Sequence, residues 1–252
     1  MYKKNLKLMK SISPNLNLMI KACEKASKVL IRDFGELENL QVSKKGPKDF
    51  VTNADKKVEK ILINELSKKK YSIISEEAGI LIRENKENFW IIDPIDGTTN
   101  FLHGIPHFCI SIAFVSNNEI ISAAIHDPIK NELYHAEKNS GAFFNNQRIR
   151  VSKKNNLDEC LFGSNQDGVQ KSNFNLRLSG SAALDLAYVA AGRLDGFFQK
   201  KLNIWDIAAG LLIITEAGGI ISPVDIKKIK NHKIIASSEA IYKDLTNLLT
   251  NF

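Results

Sequence analysis

From Ser13 onward, stretches of helical period alternate with stretches of strand period. Ser13-Pro14 is a helix start with proline in the first turn. Leu16, Met19, Ile20, Cys23, Ala26, Leu30 and Phe34 then recur at helical spacing, and Gly35 is a stop. A polar loop, Val42 to Phe50, is predicted next. A second amphipathic helix follows Thr52, with Val58, Ile61, Leu62 and Leu66 on one face. The period then changes. Tyr71 to Ile74 and Phe89 to Ile92 read as strands that run straight into Glu76-Glu77 and Asp93. Phe108 to Val115, Ile120 to His126 and Glu132 to Ala136 form a strand series punctuated by Asn117-Asn118 and Asp127-Pro128, and Gly141 to Val151 resembles a further hairpin element. The second half alternates. Its predicted order is a strand at Cys160 to Ser164, a small-residue helix at Ser181 to Ala191, a strand at Gly196 to Gln199, and an apolar helix at Ile204 to Ala217 ended by Gly218-Gly219. A strand at Ile220-Ile221 and a helix at about Glu239 to Leu249 complete it. Sheets between helices place the chain in the α+β or layered α/β class.

Composition narrows this only a little. With 252 residues, 44% hydrophobic and 25% charged, a large core can form, and one unit spanning residues 1–252 is expected. Residues 1–12 read as a loose basic tail, and a subdivision near residue 150 into two packed α/β halves is the alternative. The net charge of +7 comes from lysines scattered along the chain without interleaved aromatics, which is the pattern of a solvated surface. Cys23, Cys109 and Cys160 are far apart and form no C-x-x-C pair, so neither a disulfide framework nor a structural zinc site is suggested and a reducing cytoplasm fits. The N-terminal stretch lacks the continuous apolar run of a signal peptide, and no run reaches the roughly 20 residues of a membrane span.

The chemistry lies in the acids. In Trp90-Ile91-Ile92-Asp93-Pro94-Ile95-Asp96-Gly97-Thr98-Thr99-Asn100 a strand carries Asp93 to its end, Pro94 sets a turn, and Asp96 follows three residues on. Two adjacent carboxylates repel unless a cation lies between them, and hard oxygen ligands suit Mg²⁺. Gly97-Thr98-Thr99 opens a helical turn whose backbone N–H groups can cradle a phosphate. The alternative is an Asx-rich turn with Asp as a helix cap. Glu76-Glu77 are solvated surface taken alone and ligand candidates beside a metal site. Asp206 enters a helix that is apolar from Ile207 to Ile214; it either complements the helix dipole or faces a metal. Asp49, before Thr52, is a turn residue or a base that orients a water.

These four elements, in this order, resemble the inositol monophosphatase family of magnesium-dependent, lithium-sensitive phosphatases. The stretches that carry the resemblance are Asp49-Phe50-Val51-Thr52, Glu76-Glu77, Trp90 to Thr99, and Trp205-Asp206-Ile207-Ala208-Ala209-Gly210 with Glu216-Ala217-Gly218-Gly219. Leu184 to Arg193 and His103-Gly104-Ile105-Pro106 are similar to the bacterial SuhB-type members. The resemblance covers nearly the whole chain from about Asn15. It implies an alternating αβαβα sandwich, usually a homodimer, with two or three Mg²⁺ ions per active site. Glu76, Asp93 and the carbonyl of Ile95 would hold the first ion, Asp93, Asp96 and Asp206 the second, and Glu76 with Glu77 a weaker third. Thr98 and Asp49 would orient the attacking water, and the amides of Gly97 and Thr98 would hold the phosphate. Asp96, Gly180-Ser181-Ala182, Gln199 and Asp206 would line the alcohol pocket.

One position departs from the pattern. Inositol-specific members usually carry Glu where this chain has Gln199; the amide keeps one acceptor, gains donors and loses the charge. The expected substrate is therefore a small phosphorylated alcohol, inositol monophosphate first. Histidinol phosphate, fructose 1,6-bisphosphate, NADP and phosphoadenosine phosphate are the alternatives. The other reading is a SuhB-like regulatory partner of the transcription machinery. The complete acid set favours retained catalysis, which does not exclude a second role.

Overall fold

The computed structural model describes residues 12–37, 42–46, 49–83, 85–165 and 175–249, with 42–46, 49–52, 85 and 86 described in backbone only. Helix α1 (Pro14–Gly35) begins where the sequence predicts, because the Ser13 hydroxyl accepts from the Leu16 N–H at 3.1 Å. Strands β1 (Val42–Gly46) and β2 (Asp49–Thr52) pair antiparallel, Val42 with Thr52 and Ser43 with Val51. The segment expected as a polar loop is therefore largely a hairpin. It is mostly polar and carries no apolar alternation, so it offers no strand period to read. Helix α2 (Asn53–Leu66) follows.

An eight-stranded sheet comes next. It is built from β3 (Tyr71–Ser75), β4 (Gly79–Leu81), β5 (Asn85–Asp96), β6 (Cys109–Ser116), β7 (Glu119–Asp127), β8 (Glu132–Glu137), β9 (Gly141–Phe144) and β10 (Gln147–Arg148). Its order is β10-β9-β8-β7-β6-β5-β3-β4, and the short helix α3 (Thr98–Leu102) leaves the end of β5. A second, five-stranded sheet has the order β12-β11-β13-β15-β14. Its strands are β11 (Leu161–Gly163), β12 (Asn175–Arg177), β13 (Gly196–Leu202), β14 (Gly219–Ile221) and β15 (His232–Ser238). Helices α4 (Ala182–Ala190) and α5 (Ile204–Glu216) lie between the sheets, and α6 (Glu239–Leu248) covers the outer face of the second.

Strand alternation builds these layers. Along β5, Trp90 and Ile92 face α1 and α2 while Ile91 faces α4 and α5. Along β6, Ile110, Ile112 and Phe114 join the first core, and Cys109, Ala113 and Val115 the second. In the smaller sheet Phe197, Ile234 and Ala236 point inward, whereas Phe198 and Ile235 pack under α6. Apart from Asp185 in α4 and the polar ends of α5, these two helices are apolar on every face because they lie between the sheets. The result is the αβαβα sandwich.

Strand β15 was not foreseen, because Ile234-Ile235-Ala236 is a very short apolar run between Lys233 and two serines. The strands β4 and β12 were also missed; each has three residues. Pro94 does not end β5 in a turn as expected. The strand continues to Asp96 through an irregularity between Asp93 and Asp96, where the proline has no N–H to give the ladder. No described helix is long and apolar enough to cross a membrane.

Candidate active site

Strands β3 and β5 run parallel, so their C-terminal ends open on the same edge of the sheet. That places Glu76 beside Asp93, with the Glu76 N–H donating to the Ile92 carbonyl at 3.3 Å. The irregularity in β5 brings Asp96 to the same edge, and the first turn of α5 supplies Asp206 from the opposite layer. A cavity of about 410 Å³ at this junction is lined by Glu76, Asp93, Ile95, Asp96, Gly97, Thr98 and Asp206, and on its other side by Asn165, Gly180, Ala182 and Gln199. Open α/β sheets place ligands at such carboxyl ends. A larger cavity, about 1050 Å³, lies between α1 and strands β7 and β8. Of its acids, Glu65 is tied to Lys25 and Lys68, so it gathers no comparable set of carboxylates.

Each acid is held by its own neighbours. Asp93 is 2% exposed, and its Oδ1 accepts from the Ile95 N–H at 3.0 Å. Asp96 Oδ2 accepts from the Ser181 hydroxyl and from the Ala183 N–H at 2.8 Å, with the Cys109 thiol at 3.8 Å. Asp206 Oδ2 accepts from the Asn203 N–H at 2.7 Å, so this acid caps its helix and also faces the cavity. Burial raises the Asp93 carboxyl well above the usual carboxylate range, and Glu76, Asp96 and Asp206 add to the rise. Asp206 is raised well above it too, by burial and then by Asp96. Asp96 is raised by burial against the lowering effect of its Ser181 and Ala183 bonds. Of these neighbours, Glu76 contributes most to the rise at Asp93 after burial.

Two carboxyl groups bond to each other only by sharing a proton, and a divalent cation is the other way to relieve them. Among the described residues, no three acidic, histidine or cysteine side chains already surround one point at ligand distances. The donor set is nonetheless all hard oxygen and anionic, and it is crowded enough to raise its own proton affinity. The residues fit Mg²⁺ chemistry on that ground.

The remaining expected residues fall as follows. The Thr98 hydroxyl donates to the Ile95 carbonyl at 2.9 Å and lies 3.3 Å from Asp55 Oδ1. Gly97 has φ +98°, and a Cβ there would meet the His107 carbonyl at 3.0 Å, so the backbone shape before α3 needs glycine. Glu77 does not line the cavity; its N–H donates to Glu59 Oε1 at 3.2 Å. Ser181 is fully buried behind Asp96 and supports that acid rather than forming the cavity wall. The side chain of Asp49 lies outside the described residues.

Sequence reasoning missed Asp55 and Glu59, both buried on α2. A signal existed: positions 55, 59, 62 and 66 form one stripe at helical spacing, and acids on the stripe of Leu62 and Leu66 need partners. Glu59 accepts from the Ser75 hydroxyl at 2.5 Å and the Ala78 N–H at 2.8 Å, which braces the end of β3 below Glu76. Asn165 was missed as well.

Asp185, in α4, is another buried acid. Its carboxyl is pushed up to about 8, by burial foremost and by Asp96, against a lowering bond from Ser179. A raised carboxyl pKa means the folded chain keeps a proton that the unfolded chain has lost. Stability is then full below the ordinary carboxylate range and falls as pH rises towards 8. Asp185→Asn, neutral at every pH, should raise the melting temperature at pH 8 relative to wild type and change it little at pH 4. Melting curves at the two pH values check this, and equal shifts at both would contradict it.

The fold and this cavity define a layered α/β protein with a carboxylate-lined cavity at a sheet edge. The chain belongs to the inositol monophosphatase family, whose model matches residues 12–251. It is 45% identical over 249 residues to a protein of Mesorhizobium japonicum named inositol-1-monophosphatase, covering 91% of this chain and 94% of that one. It is 39% identical over 225 residues to the Nus factor SuhB of Xylella fastidiosa, covering 82% of this chain and 81% of that one. The crystal structure of the extragenic suppressor protein suhB from Bartonella henselae superposes with a TM-score of 0.88 at 45% identity, over 94% of this chain and 98% of that chain.

Proposed function

We propose that the protein is a Mg²⁺-dependent phosphoric monoester hydrolase that releases phosphate from a small phosphorylated alcohol, with inositol monophosphate the leading substrate. The single observation that carries this reading is the convergence of Glu76, Asp93, Asp96 and Asp206 on one cavity beside Gly97 and Thr98. Family membership supports the chemistry, and the name of the Mesorhizobium relative supports the substrate.

Glu76, Asp93 and the Ile95 carbonyl would hold one ion, and Asp93, Asp96 and Asp206 a second; a weaker third would rest on Glu76, since Glu77 does not line the cavity. When bound, Mg²⁺ neutralises the phosphoryl oxygens and makes an attacking water more acidic. The protein's part is positioning and electrostatics, which dominate phosphoryl transfer. Ser181 and Ala183 fix Asp96 by one carboxylate oxygen and leave the other for the cavity. The Thr98 hydroxyl, set between Ile95 and Asp55, would orient the attacking water, and Asp49 would share that role. Backbone N–H groups at Gly97 and Thr98 hold the phosphate, and Gly180, Ala182 and Gln199 border the alcohol. Residues 1–252 act as one catalytic unit, because the cavity draws on both sheets. A cytoplasmic homodimer is the expected working form. Its three cysteines are all buried and free.

Phosphate release from inositol 1-phosphate, histidinol phosphate, fructose 1,6-bisphosphate, NADP and phosphoadenosine phosphate ranks the substrates. Inositol 1-phosphate should lead; a clear preference for another member reassigns the alcohol and leaves the chemistry intact. Gln199→Glu should raise kcat/KM for inositol 1-phosphate by roughly tenfold, the worth of one charge-assisted hydrogen bond to a sugar hydroxyl. An unchanged value would remove Gln199 from substrate selection. The SuhB name of two relatives supports a second reading, a role in a transcription complex. Phosphatase activity towards none of the five substrates would favour it.

A further inference from the structure

The wall facing the acids has an ordered polarity that neither the sequence nor family membership specifies. Strands β11 and β13 run parallel with Phe162 beside Gly196 and Gly163 beside Phe197. Continuing that register by two residues sets Asn165 next to Gln199. The contact is present: Gln199 Oε1 accepts from the Asn165 backbone N–H at 3.3 Å and from Asn165 Nδ2 at 3.3 Å. Asn165 Oδ1 in turn accepts from the Gly180 N–H at 2.8 Å. A backbone N–H can only donate, so the atom of Gln199 that meets it must be the oxygen, and the amide cannot be turned over without losing that bond. The Nε2 group is thereby the end of Gln199 left to the cavity, which Asn165 and Gln199 line together.

We propose that Asn165 is a positioning residue for substrate selection: it clamps Gln199 so that the distal wall of the cavity donates hydrogen bonds to the alcohol. This rests on the phosphatase reading above. A carboxylate at position 199 would present an acceptor and so demand a hydroxyl proton from the substrate. The clamped amide presents N–H and so demands an oxygen acceptor. A hydroxyl or a sugar ring oxygen supplies one, and the class of substrate it selects is a polyol or sugar phosphate with an oxygen at that distance from the phosphate. The described cavity lining contains no lysine or arginine, so a second phosphate would find only neutral donors at this wall.

The test compares wild type, Asn165→Ala and Asn165→Asp on inositol 1-phosphate and on phenyl phosphate, which has no oxygen beyond its phosphate ester to accept from the wall. Asn165→Asp keeps the acceptor for the Gly180 N–H and loses the donor for Gln199. For inositol 1-phosphate, Asn165→Asp, which sets a carboxylate oxygen against Gln199 Oε1, should raise KM about tenfold with kcat within about threefold, and Asn165→Ala, which keeps the backbone N–H bond, should raise KM less. The ratio of kcat/KM values for inositol 1-phosphate over phenyl phosphate should fall in each variant by the factor its KM rises. A merely structural role predicts instead that Asn165→Asp rescues what Asn165→Ala loses. Rescue by Asp, or an unchanged ratio in both variants, overturns the clamp. Failure of the wild type to release phosphate from either compound with Mg²⁺ present would overturn the phosphatase reading and this inference with it.

Discussion

Asp93→Asn should lower kcat/KM by on the order of a thousandfold while the protein stays folded. Asp93 stands among the other acids of the cavity: its side chain accepts from the Ile95 N–H, and Glu76, Asp96 and Asp206 all act on its charge. In the proposed arrangement it serves two ions, so its loss disturbs both. Asparagine has nearly the same shape, and it relieves a buried site in which burial and three neighbouring acids all oppose the charge. The variant should therefore melt no lower than wild type in the absence of metal. Steady-state kinetics and a melting curve on the same preparation test both halves. Near-normal turnover would remove Asp93 from the metal set, and unfolding would show that it serves the fold rather than the chemistry.

The second large effect is on stability. Asp93 and Asp206 both hold their protons well above the usual carboxylate range in the folded chain. Their contribution to metal-free stability is fully present below the unfolded carboxyl pKa and is lost as pH rises towards the raised folded values. Mg²⁺ favours the deprotonated carboxylates, so its binding releases protons and strengthens with pH. Free Mg²⁺ at a hundred times its Kd contributes ~2.7 kcal/mol, about 5–10 °C for a chain of this size. The expected result is a metal-free melting temperature that falls between pH 5 and pH 8, and a rise on adding Mg²⁺ that is larger at pH 8. In Asp93→Asn both effects should shrink. Calorimetry with and without Mg²⁺ reads them directly, and a wild-type melting temperature indifferent to Mg²⁺ at pH 8 would count against the ion site.

Local sequence carried much of this. Asp93 could be read because the apolar run Phe89 to Ile92 ends on it, and Asp206 because it interrupts an otherwise apolar helix. In both, the oddity lies in adjacent positions. Glu76 was ambiguous alone and gained meaning only from a neighbouring strand, since the parallel pairing of β3 and β5 is a long-range fact. The β1–β2 hairpin had no apolar period to read, and β15 had too short a one. Asn165 meets Gln199 across 34 positions, through the register of two strands, and a single sequence carries no mark of that meeting. Asp55 and Glu59 are different. Their place on the stripe of Leu62 and Leu66 was visible in the helical period, and the charged composition of α2 concealed it.

The most direct measurement is phosphate release from inositol 1-phosphate by the purified protein, with and without Mg²⁺ and with added Li⁺. Release that requires Mg²⁺ and is inhibited by Li⁺ is the predicted result. No release with the protein folded and Mg²⁺ bound, or release that proceeds equally without Mg²⁺, would contradict the assignment of the carboxylate cavity as a metal-dependent phosphatase site.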